Sequence, residues 1–172
     1  VLTGLMASGK STVAQLLAEQ FPRGVHLRGD SFRRMIVSGR EEMSAEPSGE
    51  ALKQLELRYR LTAEAVKGYH GAGFTVVVQD NYYGEKLPEF LGLLKPETVF
   101  PVVLCPDAHT IAQREAARGK TGYTGFAVDT LYRDFMEHTP RVGLWLDSSF
   151  MTPEETVRQI LDNLPAESRD GS

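Results

Sequence analysis

A chain of 172 residues is long enough to bury one full core and too short for two comfortable ones. Its 41% hydrophobic and 24% charged residues are those of an ordinary globular domain, and a net charge of −4 argues against a protein that coats nucleic acid with a basic face. No stretch approaches the roughly 18 apolar residues of a membrane span and no signal peptide is visible, so the expected setting is cytoplasmic, with no membrane partner. The single cysteine, Cys105, has no internal disulfide partner and lies in an apolar run, which places it in the core.

In chain order, Val1-Leu2-Thr3 is short for a strand, and a few more residues are expected upstream. Gly4-Leu5-Met6-Ala7-Ser8-Gly9-Lys10-Ser11 then fills every fixed position of the phosphate-loop pattern G-x-x-x-x-G-K-[ST]. Glycines let such a loop turn its N–H groups inward onto phosphate oxygens. Lys10 is expected to reach the β- and γ-phosphates and Ser11 to ligate Mg²⁺. The helix expected from Thr12 to Gln20 adds its positive N-terminal end. Leu16, Leu17 and Phe21 continue this helix until Pro22 and Gly24 close it.

Val25-His26-Leu27 reads as a strand, followed by a helix holding Phe32, Met35 and Ile36 that Ser31 or Asp30 caps. Residues 38 to 49 lack an apolar pattern and read as a mobile connection, part of a substrate lid. Ala51, Leu52, Leu55, Tyr59, Ala63 and Val66 recur at helical spacing up to Gly71. Phe74 to Val78 is a β-branched run of the kind buried on both faces of a sheet. A short helix over Glu85 to Leu94, a strand from Val99 to Leu104, and helices over Asp107–Arg118 and Ala127–Glu137 follow. Leu144 to Asp147 is the last strand. Thr152, Pro153 and Glu155 then open the final helix as a capping box. The expected organisation is one domain over 1–164, with a lid at about 114–126, an acceptor region at about 31–60 and a disordered tail at 165–172.

Five strands alternating with helices imply an α/β fold, a three-layer phosphate-loop (P-loop) NTPase architecture with a five-stranded parallel sheet and a small lid. Such sheets bind ligands at the carboxyl ends of their strands. That edge collects the loop at 4–11, Asp30, Asp80, the segment after Leu104, and Asp147-Ser148-Ser149. The nucleotide-binding set is Gly4, Met6, Ala7, Ser8, Gly9, Lys10, Ser11 and Thr12, with Arg114 from the lid and Ser148 beside the base.

Phosphoryl transfer also needs charge neutralisation and an oriented acceptor. Asp30, just beyond the strand expected beside the phosphate loop, fits the base for an acceptor hydroxyl. A plain N-cap is its bland alternative. Arg33, one turn on, is expected to face the same way and contact acceptor or phosphate, or else to sit on a solvated face. Arg34 is the more exposed neighbour. Asp80 has the place of a residue that holds Mg²⁺ or contacts acceptor, flanked by Gln79 and Asn81. Arg114, Arg118 and Lys120 form a basic segment with a glycine hinge, suited to closing over the nucleotide. His26, His70, His109 and His138 show no metal-ligand spacing.

With these residues in place the chain resembles the phosphate-loop kinases of small molecules, in the nucleoside-monophosphate-kinase-like group. The nearest pattern is the AAA-type ATP-binding/chloramphenicol-phosphotransferase-like branch. The resemblance rests on Gly4–Ser11, Gly29-Asp30-Ser31-Phe32-Arg33, Val78-Gln79-Asp80, Arg114-Glu115-x-x-Arg118 and Leu146-Asp147-Ser148-Ser149. It implies an ATP- and Mg²⁺-dependent phosphotransferase acting on a hydroxyl of a small molecule, an antibiotic or a metabolite. Asp30 is then the base, and Lys10, Arg114 and Arg118 stabilise the transferred charge. Asp30-x-x-Arg33 also looks like the acceptor motif of polynucleotide 5′-kinases and zeta-type toxin kinases, so a kinase of nucleic-acid ends is the rival enzyme. A regulatory ATPase without an acceptor is the rival from another class. A GTPase switch is disfavoured because N-K-x-D is absent.

Overall fold

The computed structural model describes residues 1–44, 46–117 and 127–165. Their apolar spacing resolves into strands β1 (Leu2–Gly4), β2 (Gly24–Arg28), β3 (Thr75–Gln79), β4 (Val102–Leu104) and β5 (Leu144–Leu146). The helices are α1 (Lys10–Ala18), α2 (Asp30–Arg34), α3 (Gly49–Gly71), α4 (Lys86–Leu93), α5 (Ala108–Ala117), α6 (Val128–His138) and α7 (Pro153–Asn163). All strand pairs are parallel, in the order β2-β3-β1-β4-β5. Parallel neighbours need crossover connections, and the helices supply them on both faces.

Strand parity assigns the two cores. Val77, Val102, Leu104 and Leu146 point to one face, where they pack with Val13, Ala14 and Leu17 of α1 and Val157 and Ile160 of α7. Val78 and Val103 point to the other, against Tyr59, Ala63 and Val66 of α3, Phe90 of α4, Ile111 of α5 and Phe135 of α6. The sheet is thus the middle of three layers. Cys105, expected in the core, is half-buried at the end of β4, where desolvation raises its thiol pKa.

One feature of the order departs from the sequence reading. β2 was expected beside β1, but β3 lies between them. The phosphate loop and Asp30 therefore flank β3 rather than each other, and the end of β3 becomes the centre of the site.

An aromatic cluster fixes α3 against that strand end. Tyr82 stacks on Phe90 with ring centroids 4.1 Å apart, and Tyr59 of α3 lies 5.2 Å from Tyr82 and 5.9 Å from Phe90. The Tyr59 hydroxyl donates to the Asn81 carbonyl at 3.1 Å. On the far side, Tyr82 N–H donates to Thr3 Oγ1 of β1 at 2.9 Å. Burial raises the Tyr59 pKa to about 12, and raises that of Tyr82 well above its ordinary value.

The capping box of α7 is present, with Thr152 Oγ1 accepting from Glu155 N and Glu155 Oε2 accepting from Thr152 N. Thr152→Ala is expected to cost about 1 kcal/mol and lower Tm by about 2–4 °C, read by calorimetry. The raised tyrosine values mean that both phenols stay protonated in the fold after they would ionise in the unfolded chain. Their contribution is therefore complete below pH 10.0, the ordinary value for tyrosine, and is lost as pH rises towards about 12. Urea unfolding at stepped alkaline pH checks this, with Tyr59→Phe showing a shallower decline.

Candidate active site

β1 ends at Gly4, and the chain turns through residues 5–9 into α1. Gly4, Ala7 and Gly9 take φ values of 145°, 62° and 96°. A Cβ on Gly4 would run into the Leu104 carbonyl and lie 2.9 Å from Ser8 Oγ, so the first glycine of the pattern is demanded by the nearness of β4 as well as by φ. The left-handed backbone at Ala7 costs about 1–2 kcal/mol. Lys10 is buried, and its Nζ donates to the Gly4 and Leu5 carbonyls, both at 2.7 Å, which holds the ammonium against the loop's own backbone. The buried Ser8 hydroxyl has no hydrogen-bond partner among the described residues. An orphaned buried hydroxyl in a loop whose backbone turns inward suits an anionic oxygen ligand. Ser11 is exposed at the start of α1, and its Oγ accepts from Gln79 Nε2 at 3.2 Å.

Gln79 is the last residue of β3 and Asp80 follows it, and with the strand's alternation carried one residue on the two serve opposite faces. Gln79 turns towards α1 and Ser11. Asp80 turns towards α3, where Arg58 meets it side-on: Nε donates to Oδ2 at 2.6 Å and Nη2 donates to Oδ1. Asn81 N–H also donates to Oδ1 at 2.7 Å. This pair is buried, the side chains being 2% exposed for Asp80 and 10% for Arg58. Desolvation pulls the Arg58 pKa below its ordinary value, with the Asp30 carboxylate pulling it back up.

Arg58 also reaches β2's end. Its Nη1 lies 3.6 Å from Asp30 Oδ1. Gly29 makes this possible: its N–H donates to the Gln79 carbonyl at 3.1 Å, and a Cβ there would collide with the Asp80 carboxylate. Only glycine brings the start of α2 directly onto Asp80. Asp30 is the first residue of α2 rather than its cap, and neither it nor Ser31 caps the helix. Its Oδ2 accepts from Arg34 Nε at 2.6 Å. The arginine of α2 on Asp30 is therefore Arg34, four residues on, and Arg58 adds a longer ion pair from α3. Arg33 turns away to pair with Glu42. The connection at 38–49, read as mobile, is tied down in part: Gln54 Nε2 donates to the Gly39 carbonyl at 2.8 Å, and Glu41 N–H donates to Gln54 Oε1 at 3.0 Å.

On the other flank Arg114 of α5 braces the loop. One guanidinium nitrogen donates to the Ser8 carbonyl and the other to the Ser148 carbonyl, each at 3.2 Å. Arg118 and Lys120, with residues 118–126 of the lid expected at about 114–126, lie outside the described residues, as does the tail 166–172. Among the described residues no three His, Cys, Asp or Glu side chains gather as a metal cage. The oxygen of Ser11 suits an ion that keeps most of its water and phosphate ligands, as Mg²⁺ does.

Arg58 is the functional candidate that the sequence reading missed. Its signal was a charge set within an apolar helical stripe, three residues after Leu55 and one before Tyr59. Removing one member of a buried pair strands the other charge, whereas an exposed pair is solvated either way. Asp80→Ala is thus expected to cost about 3–5 kcal/mol. Arg33→Ala, which breaks the pair with the exposed Glu42, should cost about 0–1 kcal/mol. Urea unfolding of both variants measures the contrast.

Comparison with known proteins agrees with this architecture. APS kinase of Mycobacterium tuberculosis, solved in complex with AMPPNP and APS, superposes with a TM-score of 0.69 at 18% identity, covering 94% of this chain and 93% of that one. The tunicamycin resistance protein of Deinococcus radiodurans gives 0.69 at 15% identity over 94% and 91%. A gluconokinase from Sinorhizobium meliloti 1021 gives 0.59 at 18% over 94% and 87%. At such identities the likeness is one of fold. No curated protein matches the sequence. Residues 1–165 match the family described as chloramphenicol phosphotransferase-like protein. The chain belongs to that family and is an ATP-dependent kinase.

Proposed function

We propose that the chain moves the γ-phosphoryl group of ATP to a hydroxyl of a small molecule, with Asp30 as the base. The observation that carries this reading is the end of β3. There, two successive residues connect the phosphate loop, through Gln79 and Ser11, to a carboxylate cluster, through Asp80, Arg58 and Asp30. A phosphate cradle and a carboxylate able to take a proton thus share one strand end, as transfer between two bound substrates requires.

ATP supplies the phosphoryl group and Mg²⁺ neutralises charge on its oxygens. The loop amides, Lys10 and the Ser8 hydroxyl bind the phosphates, and Met6, Thr12 and Ser148 complete the nucleotide set. Ser11 is the residue for the metal. Asp80, proposed from the sequence for the same ion, has both oxygens on Arg58, which favours its acceptor-side role. Asp30 takes the hydroxyl proton as the acceptor oxygen bonds to phosphorus and the bridging oxygen leaves with ADP. Arg114 already touches the loop and, with Arg118, is placed by this reading on the transferred charge.

The acceptor side favours a small molecule over a nucleic-acid end. Arg33, Arg34 and Arg58 each face a carboxylate, so none of them offers a bare charge to a phosphate backbone. Met35, Val37, Met43 and Leu52 of the same region are exposed, which suits a compound with apolar surface beside its hydroxyl. The family's name makes chloramphenicol the first compound to try.

The test is ADP release from ATP in the presence of chloramphenicol, sugars and 5′-hydroxyl oligonucleotides. A hydroxyl compound is expected to raise the rate, and Asp30→Asn to lower it by about 10²–10⁴-fold with ATP binding kept. Unchanged turnover in Asp30→Asn would sink the base. A rate that no compound raises would leave the regulatory ATPase, and a response to oligonucleotides alone would leave the nucleic-acid kinase.

A further inference from the structure

We infer that Arg58 is a positioning residue: it locks Asp30 to the buried Asp80 and so sets the direction in which the base faces its acceptor. The inference rests on the reading of Asp30 as base and names the residue that makes it competent.

The geometry forms a chain of fixed parts. Asp80 is anchored by the Asn81 N–H, by the backbone of Gly29 packed against its carboxylate, and by burial. Arg58 engages it through Nε and Nη2 together, and a planar fork held at two nitrogens leaves the third no freedom of direction. That third nitrogen, Nη1, faces Asp30 Oδ1. Arg58 is itself held: its carbonyl accepts from Thr62 Oγ1 at 2.7 Å, and the adjoining Tyr59 packs against the stacked Tyr82 and Phe90 rings. Asp30's other partner, Arg34, has a side chain 66% exposed and cannot impose a direction by itself. The orientation of Asp30 is thus inherited from the backbone of β3, through Asp80 and then Arg58.

A lysine at 58 would keep the charge and lose the fork. Methionine would keep the length and strand Asp80, so Arg58→Met is paired with Asp80→Asn to leave no buried unpaired carboxylate. The probe is ADP release from ATP alone, with water as the acceptor, in the full chain. Arg58→Met/Asp80→Asn is expected to lower kcat about 100-fold with KM for ATP little changed, and Arg58→Lys to fall between. In an Asp30→Asn background the same pair should add less than about a 3-fold further loss, because both act through one group. Losses that multiply, a changed KM with kcat intact, or a fully active Arg58→Lys would each overturn the inference.

A second readout does not depend on turnover. In the ¹³C-labelled chain the Asp30 carboxyl resonance, assigned by its loss in Asp30→Asn, is expected to move in Arg58→Met/Asp80→Asn. An unmoved resonance overturns the inference. Failure of the base reading looks different: Asp30→Asn then releases ADP at the wild-type rate, while the resonance still reports whether Arg58 holds Asp30.

Discussion

Successive residues of a β-strand must point to opposite faces of the sheet, and the site depends on that alternation continuing from Gln79, the last residue of β3, to Asp80, the next. Because β3 lies between β1 and β2, its last residues stand between the phosphate loop and the start of α2. Gln79 goes to the face of α1 and bonds Ser11, while Asp80 goes to the face of α3 and takes the Arg58 fork. Had β2 been adjacent to β1, the end of β3 would not have stood between the two groups.

Burial decides which of the site's charge pairs matter. Arg33 with Glu42 and Arg34 with Asp30 are partly solvated, and such pairs contribute little because water solvates each ion nearly as well. Arg58 with Asp80 is different. Both ions have left water, and desolvation lowers the arginine's pKa. A buried pair of this kind is a doubtful source of net stability, since an apolar pair of equal volume can do as well. Its value lies in direction: two nitrogens on two oxygens fix a plane, which a hydrophobic contact does not.

The parts legible from the sequence were those encoded locally. The phosphate loop is a run of eight residues whose conformation depends on its own glycines, and the Thr152–Glu155 box needs only four. The strands showed as β-branched runs because both faces of a parallel sheet are apolar. Strand order was not legible, since nothing within β2 or β3 states which lies beside β1. Arg58 was missed for a related reason. Asp80 is 22 residues away, and an arginine in the middle of a helix reads as a solvated charge until its partner's position is known. The exchange of Arg33 for Arg34 came from the helix itself. Spacings of three and four both return to the same face, and with Asp30 as the first helical residue the closer fit is four.

The two sides of the site differ in what they are made of, and this bears on where acceptor choice resides. The phosphate-loop side is one contiguous segment whose contacts are mostly backbone, with Lys10 turned onto its own loop carbonyls. The Asp30 side is assembled from side chains of α2, α3 and the end of β3, and the connection after α2 is tied to both helices through Arg33–Glu42 and through Gln54. Here each substitution alters shape or charge directly. One member is exempt: Asp80 and Arg58 are buried against each other and against the Gly29 backbone, so changing either disturbs the fold before it alters recognition. On the proposed reading of Asp30 as base, acceptor choice is left to the exposed residues around it, which would keep the direction of attack constant while the acceptor's shape is free to vary.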